Sequence, residues 1–178
     1  MAHDHDELLR LYLDDHWAGA GAGASLAKRL QQNNRDTPWA GELTWLARQV
    51  EEDDERLESL RRDIDAEGGT LKRYAARVGE RIGRLVPNRR LRSYSPLSRV
   101  LETEAMMAGV AGKARLWTSL CAGGAGRTRL APFDLERLGE RAEEQLAVLH
   151  EFHERAAAVA FDPAVETLQA PSTSTPRT

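Results

Sequence analysis

Three ionisable residues interrupt otherwise apolar repeats in this 178-residue chain: His16, Asp53 and Glu104. Each sits in a stripe spaced three and four residues apart, so its neighbours along one helix face are apolar. Gln145 lies on a fourth stripe, with His150 on the adjacent edge and His153 one turn further on. Carboxylates and imidazoles brought together are hard oxygen and nitrogen donors suited to iron, manganese or zinc. On that reading the metal ligands are His16, Asp53, Glu104 and His150, with iron or manganese as the cofactor. Alternatively, the same residues form a hydrogen-bonded layer that sets helix register, since buried charges need partners.

Spacing weakens the metal reading. Carboxylate-bridged di-metal sites place Glu three residues before His on two helices. The residues three before His16, His150 and His153 are Leu13, Ala147 and His150. His150-x-x-His153 has chelating spacing, but between Glu151 and Glu154 it reads as solvent-facing ion pairs.

Other motifs carry less. Gly109-Val110-Ala111-Gly112-Lys113 lacks the leading strand, the full spacing and the Ser or Thr of a phosphate loop, so it reads as a helix-packing segment. The run Gly19 to Ala24 lies within a helical pattern, where each Gly costs on the order of 1 kcal/mol relative to Ala. Close approach of a bulky residue such as Trp45 or Met107 would compensate; a self-association face or a small-ligand crevice is the functional alternative. Cys121 is the only cysteine, which excludes an intrachain disulfide and a cysteine metal cage and fits a reducing compartment. No nucleophile elbow, zinc-protease helix or calcium loop is present.

The elements that must position these residues are helices. Charged residues make up 30% and aromatics 6%, a composition suited to long amphipathic helices rather than strands. The first helix spans about Glu7 to Gln32, with the stripe Leu9, Leu13, His16, Ala20, Gly23, Ala27 and Leu30. After the polar break at Asn33 to Asp36, Thr37 and Pro38 open a second, with the stripe Leu43, Leu46, Val50, Asp53, Leu57, Leu60 and Ile64, closed by Gly68-Gly69. A third begins at Ser95-Pro96, runs through Leu97, Leu101, Glu104, Ala108 and Ala111, and closes at Gly123-Gly124. Asp134 caps a fourth carrying Leu135, Leu138, Ala142, Gln145, Leu149, Phe152, Ala156 and Val159, ended by Pro163. Residues 1–161 form one domain and 162–178 a disordered tail.

Two helical hairpins joined by a long connection, itself holding a short helix from Leu71 to Leu85, give an all-α, ferritin-like four-helix bundle with one long crossover. In each hairpin the polar residues lie about equally far from the turn: His16 and Asp53 from Asn34, Glu104 and His150 from Gly126.

With the helices placed, Tyr12-Leu13-Asp14-Asp15-His16-Trp17-Ala18-Gly19, Glu52-Asp53, Leu101-Glu102-Thr103-Glu104, and Gly109 to Lys113 leading to Leu116-Trp117 resemble a family of uncharacterised small bacterial ferritin-like four-helix-bundle proteins. The resemblance covers most of residues 7 to 160. The second helix is also similar to stress-linked ferritin-like proteins. The resemblance implies a fold but no transferable activity, because the paired Glu-x-x-His motifs of ferritins are absent.

Charge and hydropathy bound the rest. The formal charge is -3, and no apolar run reaches membrane length. We therefore expect no membrane span, no signal peptide and a cytoplasmic protein. Residues 70–99 hold nine basic residues against one acid, whereas 42–67 carry ten acids against four arginines. The basic connection thus complements the acidic helix; anion or nucleic acid binding through Arg77, Arg81, Arg84, Arg89, Arg90 and Arg92 is the less favoured reading. The leading expectation is a non-catalytic, stress-related bundle acting through self-association or a protein partner, with the non-standard metal site as the alternative.

Overall fold

The computed structural model describes residues 2–65, 94–124 and 130–172. Among these are four helices and no strand: α1 (Ala2–Asn33), α2 (Ala40–Asp65), α3 (Pro96–Gly124) and α4 (Leu135–Phe161). Local chemistry sets their ends. Ser95 Oγ accepts from the Ser98 amide at 3.1 Å, and the Asp134 carboxylate accepts from the Arg137 amide at 3.0 Å, so both satisfy a free N–H of a first turn. Thr37 caps a tight turn rather than α2 itself. Its hydroxyl donates to the Asn34 carbonyl at 2.8 Å and accepts from the Trp39 amide at 3.2 Å, and the helix begins at Ala40.

The helices form a ring in which α1 packs on α2 and α3, and α4 packs on α3 and α2. Asn34, just past α1, reaches Tyr94 and Arg99 at the start of α3, so α1 and α3 are antiparallel. Trp39, just before α2, packs its ring in a tilted contact at 5.1 Å against Phe152 near the end of α4, so α2 and α4 are antiparallel as well. Consequently α2 and α3 run in the same direction, and the chain leaving α2 must regain the opposite end of the bundle before α3 begins. The connection itself, with the expected short helix and the basic run, lies outside the described residues.

Three of the four expected stripes face the core. All seven positions of the α2 stripe are buried, as are Leu13, Ala27 and Leu30 of α1 and Leu138, Ala142, Gln145, Leu149, Phe152 and Ala156 of α4. The α3 register differs. Leu97, Leu101, Glu104 and Ala108 are exposed, while Val100, Thr103, Met106, Val110, Ala114 and Trp117 are buried. The core face lies roughly one residue, or about 100°, from the expected one. Alanine, glycine and methionine surround α3 on several sides, so hydrophobicity alone selects no face, and two exposed leucines at four-residue spacing mark a stripe that faces outward.

The expected tail is anchored over its described part. Leu168 packs against the core, the buried Trp39 indole donates to the Gln169 carbonyl at 2.7 Å, and Arg155 donates to the Gln169 side chain at 2.8 Å. An indole N–H buried at the bundle end needs an acceptor, and the returning backbone provides one. Residues 173–178 lie outside the described set.

The Asn34 side chain ties the end of α1 to the start of α3. Fully buried, it donates to the Leu30 carbonyl at 2.8 Å and the Tyr94 hydroxyl at 3.0 Å, and accepts from Arg99 Nε at 2.7 Å. Asn34→Ala removes all three bonds and is expected to cost about 2–3 kcal/mol in urea unfolding, with the slope of the transition unchanged.

Candidate functional site

The central polar group is Asp53, placed on the core face of α2 between Val50 and Leu57 and only 1% exposed at its side chain. Three side chains converge on it. Lys113 Nζ donates to Oδ2 at 2.5 Å, Gln145 Nε2 donates to the same oxygen at 2.8 Å, and the Arg141 guanidinium lies 3.0 Å from Oδ1. Lys113 also donates to Gln145 Oε1 at 2.6 Å, closing a three-membered network. Lys113 starts on α3, diagonal to α2, and its long stem spans the bundle centre. Burial pulls its ammonium below the usual lysine range, with the Asp53 carboxylate opposing that shift.

The four residues expected as metal ligands are not brought together. Asp53 is in the core and His16 is half-buried nearby. Glu104 is exposed and pairs with His153 at 3.2 Å, and His150 is exposed on α4. Among the described residues no group of three or more His, Cys, Asp and Glu side chains is placed to hold a metal ion. The donor set also fails chemically: cations and an amide occupy the Asp53 oxygens that a metal would take. The iron or manganese site built on His16, Asp53, Glu104 and His150 therefore does not fit this arrangement.

Gln145 fills the place that spacing left open between it and His150. Lys113 was masked by its glycine-rich context and by the rotated α3 register: reading Met106, Val110 and Trp117 as the buried face puts Lys113 beside it. Arg141, one turn before Gln145, had no signal beyond that spacing.

Beside this network lies a cavity of about 220 Å³ between α1, α2 and α3. Its apolar wall includes Val50, Met106, Leu116 and Trp117, and its polar border is Asp15, His16, Asp53, Asp54 and Lys113. Gly19 and Gly23 of α1 and Gly109 and Gly112 of α3 line it as well. A Cβ added at any of these four would meet nothing within 4 Å. The close approach of a bulky residue expected at the α1 glycine run is therefore not found at Gly19 or Gly23, and open space lies beside all four glycines.

Two of the residues that line this cavity carry polar groups without a hydrogen-bond partner among the described residues. The indole N–H of Trp117, a residue 1% exposed, has no acceptor. The half-buried Asp54 carboxylate has no hydrogen bond or close ion pair, and its pKa is raised by burial first and then by the neighbouring carboxylates Glu58, Glu55 and Glu51, with the Lys113 ammonium opposing the shift. His16, in edge-to-face contact with Tyr12 at 4.7 Å, is pushed below the ordinary histidine value by burial, with Asp15 opposing, which favours the neutral ring at pH 7.

No family model, curated protein or solved structure matches the chain.

Asp53→Ala leaves Lys113 and Arg141 facing each other without their anion, whereas Lys113→Met leaves Asp53 paired to Arg141 and Gln145. Chemical denaturation at pH 7 is expected to show a loss of about 3–5 kcal/mol for the first and a clearly smaller one for the second. Asp54 behaves oppositely. Its folded pKa lies above the unfolded 3.8, so its ionisation penalises folding at neutral pH, and the penalty fades as pH falls through the folded pKa and is gone below 3.8. Asp54→Asn should raise Tm at pH 7, with the gain over wild type shrinking toward pH 4.

Proposed function

We propose that this protein is a non-catalytic bundle of ferritin-like layout that acts as a binding module, receiving a small molecule in the cavity between α1, α2 and α3. The single observation that carries the reading is that cavity, walled by four glycines whose absent side chains face open space. A glycine in a helix interior is destabilising unless the space it leaves is used. Here no neighbouring helix uses it, and a bound molecule would. The half-buried Asp54 carboxylate at its border, which no side chain of the described residues hydrogen-bonds, points the same way. The ferritin-like layout is supported by the shared direction of α2 and α3, which requires a connection spanning the bundle. Membership of the small bacterial family and a stress-related role rest on the resemblance of residues 7 to 160.

A benzene-sized guest fits a dry cavity of about 150 Å³, so the space here suits a single ring with a short substituent. Ethylbenzene is expected to raise Tm of the wild-type protein and to leave Gly112→Leu, whose side chain enters the cavity, unmoved. Equal shifts in the two proteins would overturn the reading. Elemental analysis of protein purified after growth with added iron and manganese should find less than one metal per chain.

Self-association is a second reading, favoured by Leu97 and Leu101, which are 46% and 37% exposed on successive turns of α3. Sedimentation equilibrium should then show a concentration-dependent dimer that Leu97→Glu dissociates.

A further inference from the structure

We infer that the cavity selects a small organic cation: a primary ammonium group carried on an apolar body of about one ring. This rests on the binding-module reading above and adds the sign of the ligand's charge.

The charges that face the cavity decide it. From α1 come Asp15 and the half-buried His16; from α2 come Asp53 and Asp54; from α3 comes Lys113. Asp53 is already held by Lys113 and, from behind, by Arg141 of α4. Lys113 donates to Asp53 and Gln145 and so is not a free cation waiting for an anion. What remains is the Asp54 carboxylate, with Asp15 at the rim and Glu51, Glu55 and Glu58 along the same helix adding to the negative potential.

A half-buried carboxylate in this setting accepts an ammonium readily, because the Lys113 ammonium that offsets it is already shared with Asp53 and Gln145, and Asp15 and Asp53 add to the negative charge facing the cavity. His16 suits the same guest, since a neutral imidazole has an acceptor nitrogen for a second ammonium N–H. The ring of Trp117 supplies aromatic wall for the apolar body. Its indole N–H is neutral and does not choose between cation and anion. An anionic guest would instead bring its charge against Asp54 and Asp15.

Phenethylamine, 3-phenylpropionate and ethylbenzene share one ring and a short chain and differ in charge, so isothermal titration calorimetry of the full chain at pH 7 and low salt separates the terms. Phenethylamine is expected to bind at least about tenfold tighter than ethylbenzene, and 3-phenylpropionate weaker than either. Asp54→Asn should remove that tenfold advantage while ethylbenzene affinity stays unchanged, and its raised Tm shows that the variant is folded. Gly112→Leu should abolish binding of all three. If ethylbenzene binds as tightly as the amine, or the carboxylate binds best, the cation inference is overturned and the binding-module reading survives. Absence of binding by all three overturns both.

Discussion

A carboxylate that is 1% exposed in the centre of a helical bundle is tolerated only if its charge is met where it lies. Asp53 is met by donors from two helices outside its own hairpin: Lys113 from α3, and Arg141 and Gln145 from α4. Sliding either hairpin along the other by one turn, about 5.4 Å, would part every one of these contacts. Hydrophobic side chains above and below repack on a slide with modest cost, whereas a stranded buried ion costs several kcal/mol. The network therefore fixes the relative height of the hairpins, which the leucine and alanine stripes alone leave loosely defined.

That constraint also shapes the space beside it. Lys113 must cross from α3 to the diagonal helix α2, so its stem occupies the bundle centre at a level where apolar residues would otherwise meet. Glycines at 109 and 112 on α3 and at 19 and 23 on α1 flank this level, and a Cβ at any of them would meet no atom within 4 Å. Polar network and cavity are thus two consequences of the same crossing.

Legibility followed amphipathicity. In α2 and α4 polar residues alternate with a clean apolar stripe, and the buried face, including Asp53 and Gln145, could be read from three-and-four spacing. In α3 the small and apolar residues surround the helix, so periodicity carried little information, and Leu97 and Leu101 pointed to the outer face. That one rotation of about 100° moved Glu104 out of the core and hid Lys113, the cation that gives the site its character. The glycine run was visible, but whether a glycine admits a neighbouring helix or leaves a void depends on interhelical distance, which no single-chain pattern encodes. Likewise the Trp39 indole's acceptor, the Gln169 carbonyl, lies 130 positions away in a polar, proline-containing stretch with no periodicity of its own.

The cavity has an energetic meaning of its own. At about 24 cal/mol per Å³, a sealed void of 220 Å³ would cost on the order of 5 kcal/mol, comparable to the whole stability of a small domain, and its open side lowers that figure without removing it. Replacing one wall glycine by leucine would fill much of the space and improve helix propensity at once. Asparagine in place of Asp54 would relieve a carboxylate crowded by three others on its own helix. Both changes favour the fold, and the chain carries neither. A bundle selected only for stability has no use for an open glycine-walled cavity with a crowded carboxylate at its border, whereas a bundle that holds a small cation uses the two together.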